Sequence, residues 1–332
     1  MLLYHDGVFG KSHAGPRMGA GWLFCVWKGS LESVVHGGNM KASIGAGRIC
    51  LFLVMVLLLV SGCAAEKIAH QTTRPRPAKV ALVLGAGAAK GFAHIGVLKV
   101  LETNKIPVGM IVGTSAGSFV GSLYAYGFNA FQLQKLSMDL QQGDLADLTF
   151  PNNGFIRGDK LEAYVNRMVR NTPMEKFRMP FYAVATDIQN GRETIFGNGN
   201  AGKAVRASCS IPGVFTPSVI NGRTYVDGGV VSPVAVDAAR KYGADFVIAV
   251  DLSGGGEAPR PQGTMETILQ AISLMYEKIT IRELQHADVV IRPKTGYIGA
   301  ADFSKKYEAV LEGEKAAIAA LPAIRSALAG VK

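Results

Sequence analysis

Short, uninterrupted apolar runs alternate with segments of helical period along most of the chain. Lys79-Val80-Ala81-Leu82-Val83-Leu84 reads as a strand buried on both faces, followed by a turn of small residues and a helix to about Glu102. Val108 to Val112 is a second such run, and it leads into a helix over Ser115 to Tyr126. Phe181 to Asp187 and Arg192 to Phe196 flank Asn190-Gly191, a dipeptide that tolerates the positive φ of a tight hairpin turn. Asp245 to Val250 and Ala287 to Ile291 are further buried-type strands on either side of a long amphipathic stretch near Thr264 to Leu284. Strands without polar alternation need cover on both faces. The predicted class is therefore α/β, a three-layer α/β/α sandwich around a mostly parallel sheet. The main domain is expected over residues 80–292, with 293–332 as a C-terminal helical extension packed on it.

The pattern ahead of residue 80 is different. Lys41 and Arg48 precede an apolar run of 12 residues, Ile49 to Val60, and then Ser61-Gly62-Cys63. The run is short for a membrane span and has the proportions of a signal peptide, so residues 1–62 are read as a signal region whose true start is expected at Met40. Val60-Ser61-Gly62-Cys63 resembles a bacterial lipobox, which implies cleavage before Cys63 and a lipid on its thiol. An uncleaved anchor helix is the plainer alternative. Residues 63–79 then carry the lipidated cysteine and a polar tether with Arg74-Pro75-Arg76-Pro77. Extended, this tether reaches roughly 50 Å, which would let the domain pivot on a membrane surface. Ala64 after the cysteine resembles lipoproteins of the outer membrane, so the expected location is a bacterial cell envelope, the outer membrane if it is Gram-negative.

Composition narrows the picture modestly. The chain has 332 residues, 48% hydrophobic and 18% charged, enough for a full core. Its net charge of +10 is spread out, without a basic stripe interleaved with aromatics, so no nucleic-acid partner is expected; mild attraction to anionic lipid headgroups is. Of the four cysteines, Cys25 and Cys50 fall in the signal region and Cys63 would be acylated, which leaves Cys209 as the remaining thiol.

The chemistry concentrates at strand ends. Gly113-Thr114-Ser115-Ala116-Gly117 follows the second strand and opens a helix, as a nucleophile elbow does; small neighbours let the backbone turn sharply and present the hydroxyl. The competing reading makes Ser115 an ordinary helix N-cap. After the first strand, Gly85-Ala86-Gly87-Ala88-Ala89-Lys90-Gly91 places backbone N–H groups at a helix start, where anionic oxygen binds. A dinucleotide cradle would need a carboxylate at the end of the next strand, and none is there; no GxxxxGK[ST] string occurs, which excludes a P-loop. An oxyanion hole remains. Lys90 is either a solvated lysine or a cation awaiting an anion. As bases, His94 reads as a packed helix residue and His286 carries no motif, whereas Asp227 in Asp227-Gly228-Gly229 is either a turn residue or a carboxylate that glycines leave open to close approach.

These motifs together, with Lys90-Gly91-Phe92-Ala93-His94-Ile95-Gly96-Val97-Leu98 and Ala207-Ser208-Cys209-Ser210-Ile211-Pro212-Gly213-Val214-Phe215-Thr216-Pro217, resemble the patatin-like phospholipase family over roughly Val80 to Ile291. The resemblance implies acyl ester hydrolysis of membrane lipids by a Ser-Asp dyad, with no metal or other cofactor. Ser115 is then the nucleophile and Asp227 the base, with oxyanion donors from Ala86, Gly87 and Ala88; Lys90 matches a basic residue that would attract a phosphate headgroup. Members commonly carry a run of glycines where this chain has Ala86-Gly87-Ala88, and the alanines are expected to disfavour positive φ in that turn. Two rival readings are a Ser115-Asp251-His286 triad and a non-catalytic lipid-binding lipoprotein.

Overall fold

The computed structural model describes Met55 and residues 78–331, apart from 151–152 and 255–258. Contacts divide the chain into two units, residues 1–71 and 72–332. The expected signal region, Cys63 and most of the tether lie outside the described residues. No helix among the described residues is long and apolar enough to cross a membrane.

One eight-stranded sheet organises the domain, in the order β5-β6-β3-β2-β1-β7-β8 with β4 attached to β3. The strands are β1 (Val80–Leu84), β2 (Val108–Thr114), β3 (Phe181–Asp187), β4 (Arg192–Phe196), β5 (Ser218–Ile220), β6 (Arg223–Asp227), β7 (Phe246–Val250) and β8 (Val289–Ile291). The pairs β3-β2, β2-β1, β1-β7 and β7-β8 are parallel; β4, β5 and β6 join antiparallel at one side. The helices are α1 (Ala93–Thr103), α2 (Ala116–Tyr126), α3 (Ala130–Asp139), α4 (Gln142–Leu145), α5 (Asp159–Met168), α6 (Ala201–Ser208), α7 (Val236–Lys241), α8 (Thr264–Glu283) and α9 (Lys306–Gly330).

The period-two alternation of strands sorts the core into two layers. Leu82, Leu84, Ile111 and Phe181 face a large cluster built with Leu98 of α1, Leu123 of α2 and Val310 of α9. Ala81, Val83, Val112 and Val247 face the other side, against Val236 and Ala239 of α7. Every residue of β1 and β7 is buried, so these strands carry apolar side chains on both faces, as their sequences require. The fold is the three-layer α/β/α sandwich expected from the sequence. Within the C-terminal stretch, α9 buries Ala309, Val310, Ala317 and Ile324, and its Glu314 pairs with Lys99 of α1.

β3 acts as the ruler of the site. Val184 of β3 pairs with Thr114 at the end of β2, and the next residue, Ala185, pairs with Asp227 at the end of β6. Residues 183–187 pair with β4 throughout, so β2 and β6 share the opposite edge of β3. One runs with β3 and the other against it, and their C-terminal ends meet.

Candidate active site

That meeting point brings Ser115 and Asp227 together. The Ser115 hydroxyl donates to Asp227 Oδ2 at 2.5 Å, although 112 positions separate them in the chain. Ser115 occupies the N-cap position of α2 yet its side chain caps nothing, so it is not an ordinary side-chain N-cap. Its backbone is strained, at φ 52° and ψ −124°, and is held there from outside: its N–H donates to Ser208 Oγ at 2.9 Å, and Ser208 in turn donates to Val184 O. The flanking glycines are steric requirements. A Cβ on Gly113 would lie 2.6 Å from the Gly117 carbonyl, and one on Gly117 only 2.0 Å from the Leu84 carbonyl. The turn can therefore be this sharp only with hydrogens at those positions.

Asp227 serves both roles that the sequence left open. Its Oδ1 accepts the Gly229 N–H at 2.8 Å, closing a short 3-10 turn over Gly228–Val230, while Oδ2 faces the nucleophile. The carboxylate is fully buried. Burial pushes its pKa up from 3.8 to about 7, opposed by hydrogen bonds from Ser115 and Gly229 and by the nearby Tyr276 hydroxyl. A base poised near neutral pH is what proton abstraction from a serine needs.

The oxyanion turn requires one correction. The Ala86 N–H donates to the Pro233 carbonyl at 2.9 Å, so it is already committed and Ala86 leaves the predicted donor set. Ala89 is likewise committed, to Ala300 O. The N–H groups of Gly87 and Ala88 have no acceptor among the described residues, and Ala88 lines the same cavity as Ser115. The expected aversion of alanine to positive φ is also overruled, because Ala88 sits at φ 48°. The loop is fixed by long-range bonds: Gly85 N–H donates to Val250 O and the buried His94 donates from Nε2 to Gly85 O at 2.8 Å. Burial drives the His94 pKa down to about 4, so its ring is neutral and structural, as its sequence context indicated.

The rival triad is not assembled. His286 is exposed and bonds Asp237 at 2.6 Å, and Asp251 is bound by Arg292 and Ser253. Lys90 is not solvated; it is buried, with its pKa lowered by that burial against the pull of Glu277 and Asp251. Cys209 is a free, buried thiol next to the dyad, raised well above its ordinary pKa by burial and by Asp227.

Two neighbours of the dyad escaped sequence reasoning. Ser208 looked like one more small residue in a loop motif. Tyr276 lies on α8, and its ring covers Gly229 so closely that a Cβ there would meet Cε2 at 2.3 Å. The Tyr276 hydroxyl is buried, outside ideal hydrogen-bond geometry, yet close enough to Asp227 to favour its charged form. Only the spacing of apolar residues in α8 hints that this face turns inward.

A cavity of about 190 Å³ opens from Ser115 and the Ala88-Ala89 turn. Its walls are almost wholly apolar, with Phe92, Leu123, Leu161, Phe215 and Phe303 among them. Such a lining suits an apolar ligand.

Residues 82–240, which hold both Ser115 and Asp227, match the profile of the patatin-like phospholipase family. The chain is 37% identical over 190 residues to lysophospholipase NTE1 of Coccidioides immitis, covering 55% of this chain but 12% of that protein. It is 35% identical over 216 residues to an uncharacterized NTE family protein of Mycobacterium tuberculosis, covering 62% of this chain and 60% of that one. It thus spans less than two thirds of either relative. Among solved structures, VipD from Legionella pneumophila superposes with a TM-score of 0.53 at 14% identity, over 76% of this chain and 67% of that one, a likeness of fold. These matches fall on the segment that builds the elbow, the glycine-rich turn after β1 and the buried aspartate, so residues 82–240 form a patatin-like phospholipase domain.

Proposed function

We propose that this protein is a serine lipid acyl hydrolase, a phospholipase A or esterase acting through a Ser115-Asp227 dyad. The observation that carries the reading is the 2.5 Å hydrogen bond from Ser115 to a fully buried carboxylate whose pKa burial has lifted to about 7. Asp227 accepts the Ser115 proton as the oxygen attacks the acyl carbonyl, and the negative charge on the carbonyl oxygen gathers at the Gly87 and Ala88 N–H groups. Asp227 returns the proton to the departing alcohol, leaving an acyl-serine. Water, deprotonated by Asp227, then attacks the acyl carbon; the fatty acid leaves and Ser115 recovers its proton.

The substrate is a membrane lipid whose acyl chain enters the apolar cavity. Lys90, buried one turn beyond the oxyanion loop, supplies a positive field suited to a phosphate headgroup. We further propose that the protein is held at a bacterial envelope membrane by a lipid on Cys63, the outer membrane in a Gram-negative cell. This part rests on the sequence alone, on Val60-Ser61-Gly62-Cys63 and Ala64. The test is mass spectrometry of lipids incubated with wild-type and Ser115→Ala protein. The proposal expects fatty acids released only by the wild type. Equal release by purified Ser115→Ala protein rules the reading out.

A further inference from the structure

α8 is built unlike the other long helices of the domain. Of its 20 residues only Thr280 is fully buried, although the helix contains many apolar residues. At 100° per residue these sort onto two faces. One face carries Leu269, Ile272, Tyr276, Thr280 and Glu283, and it turns toward the site: Leu269 lines the cavity, Tyr276 covers Gly229, and Glu283 accepts from Ser232 Oγ and the Val234 N–H. A globular helix normally turns a polar second face to solvent. Over residues 270–283 the opposite arc, about 120° wide, holds Ala271, Leu274, Met275, Lys278, Ile281 and Arg282. All six are exposed, with Leu274 at 50%, Met275 at 56% and Ile281 at 55%.

The charges on this outer arc are the second observation. Lys278 and Arg282 are its only ionisable residues, both are cationic, and neither forms a salt bridge or hydrogen bond among the described residues. An apolar strip flanked by unpaired long cations matches an anionic bilayer: the hydrocarbon side chains sink below the headgroups while the lysine and arginine reach back to the phosphates. In an isologous contact a second copy of this chain would set these cations against their own kind. Leu148, which bridges to the cavity-lining Ile156, is also exposed.

We propose that the outer face of α8, with Leu274, Met275 and Ile281 between Lys278 and Arg282, docks on the surface of an anionic lipid bilayer. Docking there brings the bilayer to the helix whose inner face lines the cavity. The inference deepens the reading of the site as a lipid hydrolase, but its test has an arm that does not depend on activity.

That arm is tryptophan emission from the full chain. Trp22 and Trp27 are replaced by Phe, and Met275→Trp supplies the reporter; Val219→Trp, at an exposed residue of β5, is the control. Emission from position 275 is expected to shift to the blue on adding phosphatidylcholine vesicles that contain phosphatidylglycerol, and less with phosphatidylcholine alone. Position 219 should not shift. Because the probe reads its own surroundings, attachment elsewhere in the chain does not mimic the result. No shift at 275, an equal shift at 219, or a shift that follows protein concentration without vesicles overturns the proposal, the last by assigning the face to self-association. The second arm compares wild type with Leu274→Asn/Ile281→Asn. Turnover of the soluble ester p-nitrophenyl butyrate should stay within about twofold while fatty acid release from the same vesicles falls about tenfold. Unchanged release from vesicles contradicts docking; absence of turnover of either substrate by wild type contradicts the hydrolase reading and leaves the emission result to decide docking.

Discussion

The elbow at Ser115 and the helix α8 that reaches over it are built in opposite ways. The elbow is immobilised from every side: Ser208 holds its N–H, Asp227 its hydroxyl, and Gly113 and Gly117 lie against backbone atoms with no room for a methyl. α8 keeps one fully buried residue in 20 and touches the dyad mainly through Tyr276. The Ser115–Asp227 pair is thus fixed by the sheet, whereas α8 is lightly buried; in the proposed enzyme a nucleophile needs sub-ångström placement and a lipid-facing surface gains from adjustability.

The largest effect should come from the most deeply fixed group. Asp227→Asn is expected to lower turnover by about a thousandfold or more, since the amide cannot accept the serine proton. The same substitution should stabilise the fold at pH 8. The native carboxyl titrates at about 7 and the unfolded one at 3.8, so the native state binds the extra proton between these values and stability falls as pH rises through that window. Removing the charge recovers on the order of a few kcal/mol at pH 8 and nothing below pH 3.8. Thermal unfolding of both proteins at the two pH values checks this.

Two glycine substitutions then separate the regions. Gly117→Ala forces a methyl onto the Leu84 carbonyl and should destabilise the domain by about 3 kcal/mol or more, read by denaturant unfolding. Gly229→Ala presses on the Tyr276 ring instead, and because α8 is lightly held the helix should yield: about tenfold less activity with about 1 kcal/mol or less lost. Comparable destabilisation by both would show that α8 is as fixed as the elbow.

The smallest effect is the most specific. Tyr276→Phe removes a hydroxyl that favours the ionised Asp227, so the acidic limb of the pH profile should move upward by about half a unit to one unit, with activity recovering at alkaline pH. A purely structural tyrosine would lower activity without moving that limb.

What the sequence disclosed, and what it withheld, follows the same divide. Ser115, Asp227 and the parallel strands were legible because each is signalled locally, by glycines at a sharp turn or by an unbroken apolar run. Ala86 was misassigned because its N–H is spent on Pro233, a partner 147 positions away. Ala88 at φ 48° went unforeseen since the bonds that impose the angle, from Gly85 to Val250 and from Ala89 to Ala300, come from distant segments. Tyr276 carries no motif, and α8 read simply as amphipathic, because a hydropathy pattern does not say which of two apolar faces will be covered.

The central claim, that Asp227 activates Ser115, is tested most directly by the rate of fluorophosphonate labelling followed by intact mass across pH 5 to 9. One adduct is expected, on Ser115, forming faster as pH rises through about 7, absent in Ser115→Ala and slowed about a hundredfold or more in Asp227→Asn. Labelling of Ser115→Ala, or an unchanged rate and pH dependence in Asp227→Asn, would contradict it.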